Sequence, residues 1–223
     1  MGGQACVYYG AAEFSKDVDF AIGVASDDVV RLQNALDELQ ARVIAVPPFD
    51  ADFLRRGHAV HFRCGRVDVK DLRVDVMSQM RGVDDFETLW ERRTTGFTDG
   101  EEFELMALPD LVRAQKTQLD KDWPMIRRLV EAHFFEFQSE ATSARVAFWL
   151  EEARTPAILQ LVAKRFPEAQ TGREAALLAK SGAHELPIEA ALKREEERER
   201  ALDRVYWAPL RAELELLRRA KRS

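Results

Sequence analysis

The sequence predicts an α+β fold, with a small mixed β-sheet and flanking helices over residues 1–107 and an all-helical region over 108–223. Three observations carry this expectation. Short apolar or alternating runs that suit strands, at 18–24, 42–46, 58–64 and 72–77, are confined to the first half of the chain. An Asp99-Gly100 pair between two further runs, 94–98 and 102–107, is a hairpin turn signal. Beyond Leu108 the apolar residues recur at the spacing of one helix face.

Composition narrows the function classes. A chain of 223 residues that is 46% hydrophobic and 32% charged can bury a sizeable core. Its formal net charge of −6 excludes a blanket affinity for nucleic acid. Cys6 and Cys64 stand far apart and outside any CxxC pattern, which fits two reduced thiols in a cytoplasmic protein. The N-terminus lacks the basic and apolar regions of a secretory signal. No apolar run nears the roughly 20 residues of a membrane span, so no membrane partner is expected.

Taken in order, residues 4–12 suit a short helix with Ala5, Tyr8, Tyr9 and Ala12 on one side. Gly2-Gly3 before it would leave N-terminal N–H groups open to a phosphate. Asp17 and Asp19 open the first strand, where a spacing of two puts them on one face and Val18 and Phe20 on the other. Two carboxylates that close repel each other, and a divalent cation with a preference for oxygen ligands, Mg²⁺, removes the cost. Ser15 and Lys16 precede the pair, within reach of a phosphate or simply in solvent.

Asp75 alternates with Val74 and Val76 in a later strand. If that strand lies beside the first, Asp17, Asp19 and Asp75 converge on one patch, the arrangement used in two-metal phosphoryl transfer. Asp68 and Asp71 compete for this third place. Asp75 is preferred because its apolar neighbours mark a central strand, and Asp71 is the reserve.

Between these strands, Ser26 or Asp27 can cap a helix over 28–41 with Val29, Leu32, Leu36 and Leu39 inward. Pro47-Pro48 stops the strand at 42–46, and a helical turn over 52–56 ends at Gly57. His58 and His61 are three apart, hence on opposite strand faces, and read as packing or surface residues rather than zinc ligands. Asp84 can cap a helix over 85–92.

In the second half, Leu108-Pro109-Asp110 starts a helix. A helix over 123–137 follows, with Ile126, Leu129, Val130, His133 and Phe134 as its buried stripe. Further helices are expected over 142–153, 156–166, 173–181 and from Pro187 onward. The mixed charges of 193–200 suit a solvated helix laced with ion pairs, not a basic nucleic-acid patch. Leu202, Val205, Tyr206, Leu210, Leu214 and Leu217 restore an apolar stripe that could pack on the domain or on a protein partner.

Gly2-Gly3, thirteen intervening residues and Asp17-Val18-Asp19 together resemble the signature of the nucleotidyltransferase fold of DNA polymerase β and its minimal bacterial relatives. The likeness continues through 108–112 and through Lys116-Thr117-Gln118-Leu119-Asp120-Lys121-Asp122-Trp123, which is similar to a segment of the AbiEii-toxin-like group. It covers about the first half of the chain. The resemblance implies a nucleotidyltransferase core over 1–107 and a helical region over 108–223 that chooses the acceptor. It further implies Mg²⁺ and a nucleoside triphosphate at Asp17, Asp19 and Asp75. Gly2, Gly3, Ser15 and Lys116 would contact the phosphates.

The acceptor is left open among an RNA end, a protein hydroxyl and a small molecule. In this family a strand and usually a helix precede the Gly-Gly turn, whereas here Met1 directly precedes Gly2, so the usual first strand is expected to be missing. The arginine that the family often has near Leu119 is also absent. The alternative expectation is a non-catalytic or regulatory toxin–antitoxin-type protein on the same fold.

Overall fold

The computed structural model describes residues 1–222, and its contacts divide them into two compact units. The first comprises residues 1–8, 12–114 and the chain from 205 onward; the second comprises 9–11 and 115–204. The mixed α and β character is as expected: one four-stranded and one two-stranded sheet lie in the first unit, with helices in both. Among the described residues, no helix is long and apolar enough to cross a membrane.

In the first unit, α1 (Gly2–Tyr8) precedes β1 (Asp17–Ala21), α2 (Ser26–Glu38), β2 (Arg42–Val43), α3 (Ala51–Arg55), β3 (Val60–Arg63) and β4 (Arg73–Met77). The sheet order is β1-β4-β3-β2, with β1 parallel to β4 and the other pairs antiparallel. Alternation sorts its two faces. Val60, Phe62, Val74 and Val76 are buried against Leu36 of α2 and Leu54 of α3. Asp75, which alternates with Val74 and Val76, therefore points to the opposite face together with Arg73.

The boundaries have local causes. α1 begins at Gly2 rather than Gln4, so the glycines form its first turn. Ala25, not Ser26 or Asp27, occupies the cap of α2 without a side-chain hydrogen bond, and Asp27 and Asp28 instead place negative charge in the first turn. Asp50 caps α3 by accepting from Asp52 N–H at 2.7 Å. Gly57 follows α3 at φ 93°, a left-handed conformation that favours glycine, and a Cβ there would stand 2.6 Å from the Tyr206 hydroxyl.

After β4 come α4 (Phe86–Glu91), β5 (Thr94–Thr98), β6 (Glu101–Leu105) and α5 (Leu108–Ala114). Asp85 rather than Asp84 caps α4, accepting from Thr88 N–H at 3.0 Å. Asp84 instead pairs with Arg92, whose other bonds, at 2.6 and 2.8 Å, go to the buried carboxylate of Asp110 in α5. The β5–β6 hairpin turns at Asp99 (φ 53°) and Gly100 (φ 85°), the two successive positive φ values that the Asp-Gly pair anticipates.

In the second unit, α6 (Asp122–Phe137), α7 (Ser143–Glu152), α8 (Pro156–Arg165), α9 (Glu174–Lys180) and the first part of α10 (Glu185–Arg222) pack around Trp149, Ile126, Leu129, Leu159 and Ile188. Thr142 caps α7 through its hydroxyl. His133 packs inward, as the helical spacing predicts, and its Nδ1 accepts the Trp149 Nε1 proton at 2.9 Å. Burial, reinforced by the nearby Arg145 charge, pushes its pKa down to about 4.

α10 is one helix of 38 residues that serves both units. Pro209 lies inside it and has no N–H to offer the carbonyl of Val205, the residue at which the helix passes into the first unit. There Glu213 accepts from Arg56 at 2.8 Å and pairs with Nε2 of the fully buried His58 at 2.7 Å.

Two predictions follow from these contacts. Glu213→Ala strands the His58 ring and should cost about 1–3 kcal/mol of first-unit stability in urea unfolding. The unfolded chain binds a proton at His133 near its ordinary pKa, whereas the folded chain does so only near 4. This contribution is thus complete above the unfolded value and is lost as pH falls towards 4. His133→Gln, which keeps an acceptor but does not titrate, should flatten the pH dependence of the unfolding midpoint across that window.

Candidate functional site

The charged face of the main sheet, in the first unit, carries the candidate site. Strand pairing sets Asp19 beside Asp75 and Asp75 beside His61, in one row across β1, β4 and β3. A second row sets Asp17 beside Arg73 and Arg73 beside Arg63. The three expected carboxylates therefore share one face of adjacent strands. Asp71, the reserve candidate, sits outside the strand in a turn at φ 66°, and Asp68 is paired with Arg66.

Each carboxylate has a different environment. Asp75 is 6% exposed and accepts from Arg73 Nε at 2.9 Å and Nη2 at 2.8 Å. Its Oδ1 also lies 2.8 Å from His61 Nδ1. Burial works to raise the Asp75 carboxyl, but the bonds from His61 and Arg73 overcome it and hold it below the usual range. Asp19 behaves in the opposite sense. Burial lifts it, the Gly3 N–H at 3.3 Å opposes the lift, and repulsion from Asp17 and Asp75 adds to it. Asp17 accepts from the Ser15 hydroxyl at 3.1 Å.

The Gly-Gly pair is pressed against this acidic edge. Gly2 has φ 62°, and a Cβ there would overlap the Asp19 carboxylate. A Cβ on Gly3 would overlap the Ser15 hydroxyl. The Met1 ammonium donates to the Asp19 carbonyl at 2.7 Å. Gly2, Gly3, Ser15, Asp17, Asp19 and Asp75 thus gather at one end of the sheet. Lys116 does not join them within that unit: it belongs to the second, where its ammonium lies 2.8 Å from Glu152.

Among the described residues, no group of three His, Cys, Asp or Glu side chains is arranged to hold a metal ion. The donor chemistry of Asp17 and Asp19 nonetheless suits Mg²⁺: both offer carboxylate oxygens, and a cation between them would offset both the burial that chiefly lifts Asp19 and the Asp17 repulsion that adds to it. Asp75 fits less directly, since both its oxygens are engaged by cationic or ring N–H groups.

Sequence reasoning missed Arg73 and His61. Arg73 was accessible to it, since a residue two before Asp75 in a strand must share its face. His61 was not, because its pairing with Asp75 depends on strand register. No family model, curated protein or solved structure matches the chain.

The mutual repulsion is directly measurable. Asp17→Asn removes one of the charges that raise Asp19, so the Asp19 carboxyl should titrate at a lower pH than in the wild type, read by carboxyl-carbon NMR.

Proposed function

We propose that the chain is a Mg²⁺-dependent nucleotidyltransferase, built on a nucleotidyltransferase-type core, that moves a nucleoside monophosphate from a triphosphate to a hydroxyl acceptor. The observation that carries this reading is the pairing of Asp19 with Asp75 across two parallel neighbouring strands, with Asp17 two residues away on the same face and Gly2-Gly3 packed on the same edge. Asp17 and Asp19 would hold the metal, with Asp75 as the third carboxylate of the set. Bound Mg²⁺ would neutralise phosphate charge and polarise the bond to the leaving pyrophosphate.

The chain's own groups have separable tasks. Arg73, half-exposed beside Asp75, supplies a fixed positive charge for phosphate oxygens on this face. Asp75 fixes the fork of Arg73 and the ring of His61. The glycines allow backbone to approach the acidic pair more closely than any side-chain-bearing residue would. The acceptor hydroxyl would give up its proton to water as its oxygen bonds to the α-phosphorus and the bond to pyrophosphate breaks, and the acceptor class is an RNA end, a protein hydroxyl or a small molecule.

A second reading, a non-catalytic interaction protein of toxin–antitoxin type, draws support from the engagement of Asp75 by Arg73 and His61. It also draws on the exposed apolar residues Val205 and Leu216 of α10, a surface for a protein partner.

Calorimetric titration of nucleoside triphosphates separates the two. The transferase reading expects binding that requires Mg²⁺ and disappears in the Asp17→Ala/Asp19→Ala double variant. Folded wild-type protein that binds no triphosphate would leave the interaction reading in its place.

A further inference from the structure

A second site is built into the helical unit, independently of the reading above. A cavity of about 670 Å³ opens between α9 and α10, lined among others by Lys116, Arg173, Arg194, Glu195, Arg198 and Glu199. Its inner wall belongs to a buried ionic network. Glu195 bridges two guanidiniums, bonding Arg173 Nε at 2.8 Å and lying 2.9 Å from Arg154 Nη1. Both arginine side chains are only 6% exposed. Glu152 in turn faces Lys116 at 2.8 Å and Arg154 at 3.5 Å.

This network leaves donors unmatched. Nη1 of Arg173 donates to the Leu150 carbonyl at 3.0 Å, but among the described residues its buried Nη2 has no acceptor, and neither does the buried Nε of Arg154. An orphaned guanidinium N–H in the interior costs free energy, and buried polar groups are almost always satisfied. Burial, followed by the neighbouring Arg154 charge, lowers the Arg173 pKa against the opposing influence of Glu195 and Glu152. Arg194 and Arg198 stand exposed on the cavity wall. Arg194 is held by Glu174 at 2.6 Å, a pair more than half exposed and therefore weak enough to exchange.

We propose that this cavity binds the phosphate group of a small phosphorylated ligand, with Arg173 as the buried anchor and Arg194 and Arg198 as the outer contacts. A tetrahedral oxyanion supplies several acceptor oxygens at once, so one can accept from the unmatched Nη2 of Arg173 while others meet the guanidiniums of Arg194 and Arg198 on the outer wall. The cavity is far larger than a phosphate ion, so the remainder of the ligand has room, and the glutamates on the wall offer acceptors for its hydroxyl or amino groups.

The test uses inorganic phosphate as the probe, titrated into the full chain without Mg²⁺ and followed by calorimetry. Saturable one-site binding is expected, weakened about tenfold or more by Arg173→Gln and by the exposed pair Arg194→Glu/Arg198→Glu. The exposed pair tests the site even if Arg173→Gln fails to fold. The Asp17→Ala/Asp19→Ala variant should bind phosphate as the wild type does, which separates this site from the sheet edge. Absence of saturable binding to folded wild type, or binding indifferent to the Arg194→Glu/Arg198→Glu change, overturns the proposal.

Discussion

The alternation of β4 is the constraint on which the first unit depends. This five-residue strand pairs with β1 on one side and β3 on the other, so its side chains set the register of both. Val74 and Val76 must face the apolar layer of α2 and α3, which forces Arg73 and Asp75 to the other side. A slip of one residue would bury Asp75 among Leu36, Leu54 and Phe62 and expose the valines. Packing energy therefore fixes the chemistry: the acidic and basic groups are held in rows because the opposite face has only one way to fill its core.

The same logic recurs with a different outcome in the helical unit. There, apolar stripes on α6, α7 and α8 enclose Trp149, but the α9–α10 layer brings charged residues inward with them. Glu195 belongs to a run of mixed charges that reads as a solvated helix face, yet it is 15% exposed and joined to two arginines from distant positions. Ionic groups at such depth hold their partners in place more than they stabilise the fold, because desolvation offsets much of the attraction between them.

What the sequence displays is what local physics controls. Asp99-Gly100 announces its turn because few residues accept two successive positive φ values, and the placement of Asp75 within a strand, with Asp71 outside it, follows from neighbouring valines. The helices from α6 onward are legible from apolar spacing, and so is the inward placement of His133. What stays hidden depends on contacts between distant segments. Nothing near Asp75 indicates that His61 binds it, and nothing near Lys116 points to Glu152, thirty-six residues away. The return of the last helix to the first unit is likewise invisible, since an apolar stripe does not name the surface it covers.

The shared helix α10 has a consequence for how this protein can be dissected. Because the first unit is assembled from three separate stretches of chain, no single cut yields it intact. Ending the chain after residue 114 would remove Glu213 and leave the His58 ring sealed in the interior without its acid. A fragment carrying the sheet alone would therefore misrepresent it, and a lack of activity in such a fragment would say nothing about the acidic edge. To isolate the unit, the segment from Val205 onward must be supplied as well, either as a separate peptide or through a designed connection. The gene order and the folding units of this molecule are two different partitions.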